Sequence, residues 1–249
     1  MCTVVVVAAE DDTLILAGNR DELRTRARAL PPVIASVEGV EVLWPRDPDG
    51  GGTWTAGTGH GLAMSLLNDY TVSFDPRDPV SRGGVIPALV TSRSLEEVSA
   101  RLVCEEGLPL ERLRAFTLRV AQLGSDGPRA LIARWDGTTL DVAPWPLPGL
   151  AVSSGLDVPT ATRVRARSLA PLLGRRVELD LEAVKACFSD HGGRRGMMSV
   201  CMHGLIAHTV SHTQIAIGRR TVRMRYFEGS PCQVSVAARE LVIPRAGVA

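Results

Sequence analysis

Residues 3–9 form a continuous apolar run dominated by β-branched valines, the pattern of a strand covered on both faces. A polar turn at Glu10-Asp11-Asp12 leads into a second apolar run over residues 13–17, and the pair predicts an antiparallel hairpin. Pairing of two runs of similar length returns Asn19, Arg20, Asp21 and Glu22 to the level of Cys2. Residues 24–50 are rich in Arg, Pro, Asp and Gly and are expected to be irregular. Two further strands, 53–56 and 62–67, flank a glycine-rich turn.

Helical patterning follows over residues 83–91 and 94–106, the latter opened by a capping box with Ser94 as N-cap and Glu97 three residues on. Four short strands are expected at 116–123, 129–135, 139–142 and 150–153, with turns at Ser125-Asp126-Gly127 and Asp136-Gly137. Helical spacing returns over 159–173 and 179–188, and residues 198–242 read as β again, with strands at 208–217 and 221–227. Runs of strands alternating with runs of helices predict an α+β fold with mostly antiparallel sheet. No internal repeat or long linker interrupts the pattern, so a single domain over 1–249 is expected.

Composition narrows the function classes. The chain is 45% hydrophobic and 22% charged with a formal net charge of +1, which gives no electrostatic footprint for nucleic acid or an anionic membrane. No stretch approaches the roughly 20 apolar residues of a spanning helix. The first apolar run has no positive segment before it and is too short for a secretory signal. The five cysteines are odd in number, widely spaced and free of any C-x-x-C pair, which predicts neither a disulfide framework nor a zinc knuckle. A soluble, cytoplasmic protein acting on a small molecule is expected.

Cys2 carries the most distinctive chemistry. Removal of Met1 from before so small a side chain would leave a thiol and a free α-amine on one residue. The α-amine titrates near about 7.7–8.0 and a thiol near about 8.5, so one residue can supply both nucleophile and general base. Asp21 can orient the amine, and Arg20 can lower the thiol's pKa or bind an anionic group. On residue chemistry alone, two readings stay open: Cys2 can equally fill a buried strand, and residues 19–22 can form a solvated turn with local ion pairs.

The motif order adds a resemblance. Met1-Cys2-Thr3, Asn19-Arg20-Asp21-Glu22, Gly51-Gly52-Thr53-Trp54, the strand ending at Asn68 and Ser81-Arg82-Gly83 together resemble the NRDE, or transport-and-Golgi-organisation-2, family. That family is similar to cysteine N-terminal-nucleophile hydrolases such as penicillin V acylase and conjugated bile salt hydrolase. The resemblance implies a four-layer αββα sandwich, with Cys2 as nucleophile, Asp21 as partner of its α-amine, Arg20 beside it and Asn68 supplying an oxyanion-hole amide. Asn19, Trp54 and Ser154 become candidate substrate-binding residues.

Two positions depart from that pattern. Ser154 stands where the hydrolases carry a second oxyanion asparagine, and Thr209-Val210-Ser211 lacks the arginine of a Thr-Arg-Ser element. Loss of one oxyanion donor typically costs about 10²–10³ in rate.

Other constellations are weaker. His203, His208 and His212 cluster near Cys201 and Met202, but on a strand His208 and His212 would stand about 13 Å apart, too far for one ion, and no metal site is expected. No cofactor is implied either, although haem would be the ligand if the same scaffold acted as a carrier, and no C-x-x-C-H attachment motif is present. Residues 50–61 lack the P-loop pattern. The arginines 163, 165 and 167 are expected to form a solvated helix face. Two functions therefore remain: a cysteine amidohydrolase or acyltransferase acting on a small amide or thioester, and a non-catalytic carrier of haem or acyl-CoA.

Overall fold

In the computed structural model, which describes residues 2–9, 11–105, 107–174 and 180–246, the apolar run after Cys2 forms β1 (Cys2–Ala8) and the next forms β2 (Leu14–Leu23). There follow β3 (Leu30–Val37), β4 (Val40–Arg46), β5 (Thr55–Thr58), β6 (Leu62–Asn68) and helix α1 (Leu95–Val103). The middle of the chain adds β7 (Phe116–Gly124), β8 (Gly127–Trp135), β9 (Leu140–Pro144) and β10 (Gly149–Ser153). Then come α2 (Val158–Ser168), α3 (Ala170–Leu173), α4 (Leu181–Phe188), β11 (Ala207–Ile217), β12 (Thr221–Glu228) and β13 (Arg239–Pro244). Met1, Glu10, Glu106 and Leu179, each part of an expectation above, lie outside the described residues.

Among the described residues the strands form two antiparallel sheets, one ordered β10-β1-β2-β11-β12-β13 and the other running β3 to β9 in chain order. Alternation along β1 explains how they stack. Val4 and Val6 point at Leu43, Ala63 and Leu67 of the second sheet, whereas Val5 and Val7 point at Leu169, Leu172, Val184 and Phe188 in the segment from α2 to α4. Both faces are therefore apolar, and a one-residue slip of β1 would exchange them. The outer face of the second sheet buries Met64, Leu118 and Val120 under Leu95, Val98 and Leu102 of α1. The order of layers is helix, sheet, sheet, helix, an α+β sandwich of the αββα kind. Fully burying each Val or Leu is worth about 1.5–3 kcal/mol, so these three contact layers dominate the fold's stability.

The helix starts follow local chemistry. Ser94 accepts the Glu97 N–H at 3.2 Å, Asp157 accepts that of Thr160 at 2.9 Å, and Asp180 caps α4 through Ala183.

Two expectations need correction. Residues 24–50 are not irregular, because they hold the β3–β4 hairpin, closed at Glu38-Gly39 with both φ angles positive (49° and 81°) as a two-residue primed turn requires. Pro31 and Pro32 sit at a register irregularity in β3, the edge strand, where a missing N–H is tolerated. Residues 83–91 form a 3-10 turn at Arg82–Gly84 and then successive turns, not a regular helix, although Val85, Ile86, Leu89 and Val90 are buried as a helix face would be. No helix among the described residues is long and apolar enough to cross a membrane.

Candidate active site around Cys2

β1 lies between β10 and β2, so Cys2 is opposite Ser153 on one side and Arg20 on the other. Cys2 shares the face of Val4 and Val6 and looks towards the second sheet. There it borders a pocket of about 210 Å³ whose wall includes Arg20, Asp21, Trp54 and Asn68. The site residues come from both sheets, and each sheet holds its contribution by strand register.

The second sheet's contribution depends on a close approach. Thr53 N–H donates to Gly83 O at 3.0 Å, and a Cβ on Gly52 would fall 2.1 Å from that same oxygen. Glycine at 52 is thus a steric requirement that docks the Gly-Gly-Thr-Trp segment onto Ser81-Arg82-Gly83, and both segments line the pocket. Trp54 immediately precedes β5 and reaches Arg20 across the gap between the sheets, the guanidinium lying 4.3 Å from its ring centroid. Glu22 and Asp47 flank Arg20 at 3.4 and 3.6 Å, and Arg26 fixes Asp47 at 2.6 Å.

Asp21 is the most tightly held group. Its side chain is fully buried, Oδ1 accepts the Thr209 hydroxyl at 2.6 Å, and Oδ2 lies 3.5 Å from Arg165 Nη1. Burial pushes its carboxyl above the usual range, while Arg165 and the Thr209 hydroxyl pull in the other direction. Burial likewise pushes the Cys2 thiol up and Asp21 adds to the rise, whereas Arg20 pulls it down.

Arg165 corrects the expectation of a solvated basic face. It is fully buried, donating to Thr3 Oγ1 at 2.8 Å, to Cys2 O at 3.3 Å, and to the carbonyls of Met197 and Met198 at 3.2 and 3.3 Å. A buried arginine therefore does reach this centre, but from α2 and not from position 210. Its signal lies in the sequence: Ala161, Arg165 and Leu169 repeat every four residues, which puts a guanidinium in the buried stripe of the helix.

The other expected residues divide. Asn68, at the end of β6, lines the pocket and donates from Nδ2 to Tyr70 OH at 2.9 Å. Asn19 points away from the pocket, towards the helices. Its Nδ2 donates to Phe188 O and Val200 O at 3.0 and 2.9 Å, and its Oδ1 accepts from His212 Nδ1 at 2.9 Å. Alternation along β2 puts Arg20 on one face and Asn19 on the other, so Asn19 ties the helical layer to the sheet. Ser154 is buried beyond the end of β10, its Oγ accepting the Leu156 N–H at 3.3 Å. Ser153, one residue earlier, is the serine that shares the face of Cys2, and its hydroxyl donates to Asn68 O at 2.5 Å, joining the two sheets beside the thiol.

The histidines do not gather as a sequence run. His212 is buried between Phe188 and Phe227, and burial lowers its pKa to about 3, so it is a neutral structural side chain. His203 instead meets His191, Cys201 and Cys232, outside the Cys2 pocket.

Comparison with known proteins bears on the family and on the fold. A family model described as Transport and Golgi organisation 2 matches residues 1–154, the part that carries Cys2, Arg20, Asp21 and Asn68. No curated protein sequence matches significantly. Among solved structures, penicillin V acylase from Agrobacterium tumefaciens is similar at a TM-score of 0.54 and 12% identity, over 91% of this chain and 86% of that one. A mutant of conjugated bile acid hydrolase from Clostridium perfringens gives 0.57 at 12% identity, over 98% and 92%. The Caenorhabditis elegans N-acylethanolamine-hydrolyzing acid amidase ortholog gives 0.51 at 15% identity, over 86% and 92%. At these identities the likeness is one of fold.

Proposed function

Because the chain belongs to the Transport and Golgi organisation 2 family and borders one pocket with Cys2, Arg20, Asp21 and Asn68, we propose that it is a cysteine amidohydrolase or acyltransferase of the N-terminal-nucleophile type. The carrying observation is the alignment of Cys2 with Arg20 across β1 and β2, beside an Asp21 immobilised by Thr209 and Arg165. The names of the similar solved structures, an acylase, a hydrolase and an amidase, support the same class.

In a chain freed of Met1, the α-amine of Cys2 takes the thiol proton, and the sulfur attacks the acyl carbon of a small amide or thioester. A C–S bond forms as the carbonyl π pair moves onto oxygen, where Asn68 and a backbone N–H stabilise it. The tetrahedral centre collapses, the α-ammonium returns its proton to the departing amine or thiol, and water or an acceptor amine then cleaves the acyl-enzyme. Asp21 serves as positioning partner of the amine. Arg82 and Arg114 on the pocket wall suit a substrate that carries a carboxylate or another anionic end.

Intact mass of the purified chain is the first test, and retention of Met1 would remove the proposed base. With Met1 absent, the chain is incubated with N-acyl amides and acyl thioesters bearing a carboxylate. A single acyl adduct mapped to Cys2 is expected. A haem Soret band unaffected by Cys2→Ala, with no adduct from any donor, would support a carrier in its place.

A further inference from the structure

Away from the Cys2 pocket, two loops converge. The connection between α4 and β11 brings His191, Cys201 and His203, and the connection between β12 and β13 brings Cys232. One ligand atom from each residue lies within 4.8 Å of the other three. His203 Nε2 stands 3.5 Å from Cys201 Sγ and 3.3 Å from Cys232 Sγ, and the His191 and His203 rings are 5.1 Å apart. His191 Nε2 is buried with no hydrogen-bond partner among the described residues.

We propose that His191, Cys201, His203 and Cys232 bind one zinc ion in a tetrahedral, four-protein-ligand site. Zn–S near about 2.3 Å and Zn–N near about 2.0–2.1 Å place the ligand atoms of such a site roughly 3.3–3.8 Å apart. The two sulfur–imidazole separations already fall in or next to that range, and the widest pair needs to close by about 1 Å, within the reach of side-chain rotation. Two thiolates with two imidazoles suit zinc over magnesium or calcium, which take oxygen ligands. Binding exchanges the two thiol protons for the ion, and the two thiolates cancel its double charge. No ligand position stays open, so the ion is structural.

The surrounding backbone holds the ligands in position without the ion. Cys201 N–H donates to Asp190 O at 3.1 Å, His203 N–H to Gly196 O at 3.2 Å, and Ser199 Oγ to His191 O at 3.1 Å. Cys201 is fully buried, while the other three are half-buried and leave a route of entry. The loop so fixed is the one whose Met197 and Met198 carbonyls accept from Arg165 and whose Met202 N–H donates to Thr209 Oγ1 at 2.8 Å. Zinc here would clamp, from behind, the loop that aligns Asp21. The proposal does not depend on Cys2 being a nucleophile.

The test uses the full chain, reduced and stripped with chelator, titrated with cobalt(II) and then zinc(II). Expected are tetrahedral ligand-field bands with thiolate-to-cobalt charge transfer, saturating at one equivalent and bleached by zinc. Cys232→Ser and His203→Gln should each weaken cobalt binding by more than the roughly 10–100-fold typical of lost outer partners. His208→Ala, which removes an imidazole outside the cluster, should leave the spectrum unchanged. Circular dichroism identifies any variant that fails to fold, and the two ligand variants serve as alternates for each other. No charge-transfer band in a chain whose thiols titrate as free would overturn the proposal. So would a parental spectrum in folded Cys232→Ser, or a Cys201–Cys232 disulfide that persists under reductant.

Discussion

Cys2 is held by strands on both sides, whereas Cys201 and Cys232 are brought together by loops. At the first place, register fixes the geometry: Ser153 and Arg20 face Cys2 because β10 and β2 pair with β1, and Asp21 follows one position later. At the second, no ladder aligns the four side chains, and their ligand atoms meet because two connections pass over the same spot. The two regions also manage charge differently. The strand-built centre neutralises Asp21 internally with Arg165 and Thr209, while the loop-built cluster presents sulfur and nitrogen ligands to a cation from outside. A strand-built centre can carry its own counter-charge, whereas thiol and imidazole ligands gathered by loops leave theirs to a bound cation.

The largest expected effect separates the two thiol sites outright. Cys2→Ser should abolish the acyl adduct and reduce any turnover by at least about 10³-fold while leaving cobalt binding intact. Cys232→Ser should do the reverse to the metal and keep the adduct. Intact mass and cobalt absorbance on the same two variants read both arms, and a variant that lost both signals would show the regions to be one unit.

Next comes the internal counter-charge. Arg165→Met keeps the length of the side chain but leaves the Asp21 carboxylate buried without its cation, and breaking such a pair costs about 3–5 kcal/mol. Denaturant melts should register that loss. Adding Asp21→Asn should recover part of it, because the uncompensated charge is then gone. If Arg165→Met were destabilising but adding Asp21→Asn recovered nothing, Arg165 would be acting through its hydrogen bonds alone.

Thr209 tests where the regions touch. Its hydroxyl donates to Asp21 and accepts from Met202 N–H, next to Cys201. Thr209→Val should cost about 1–3 kcal/mol by stranding both groups. It should also weaken cobalt binding without abolishing it, a coupling that independent sites would lack.

How much of this was legible in the sequence follows the same division. The valine run and its polar turn specified the β1–β2 hairpin, and with it the meeting of Cys2, Arg20 and Asp21, because strand pairing is a short-range consequence of pattern. The strand before Asn68 was legible in the same way, but the place of Asn68 at the site came from the motif resemblance. The β3–β4 hairpin was hidden by its exposed, proline-bearing edge, where alternation is weak. Asn19 and Ser154 were assigned to the pocket because motif identity does not say which face a side chain takes, although alternation from Arg20 and from the Cys2–Ser153 pair does. Arg165 was obscured by its neighbours Arg163 and Arg167, which turn a buried charge into what looks like a basic face. The zinc cluster had no legible signature, since its ligands are 10, 2 and 29 residues apart and are gathered by the docking of loops.

The smallest expected effect concerns the electrostatics of Cys2 itself. Alkylation by iodoacetamide consumes the thiolate, so its rate rises as pH climbs through the pKa of the thiol. Burial holds that pKa above the ordinary value, which moves the Cys2 profile to the alkaline side of a thiol in an unfolded peptide. Asp21 contributes to the rise because a second negative charge beside the sulfur disfavours the thiolate, and Arg20 opposes it. Asp21→Asn should therefore shift the Cys2 midpoint down and Arg20→Met should shift it up. The Cys232 profile, measured by peptide mapping in the same samples, should stay where it was in both. Parallel movement of both thiols would mean that the charges at Cys2 are felt through a loosened fold. Opposite shifts at Cys2 alone would show that the strand register delivers Asp21 and Arg20 to that sulfur as distinct, local charges.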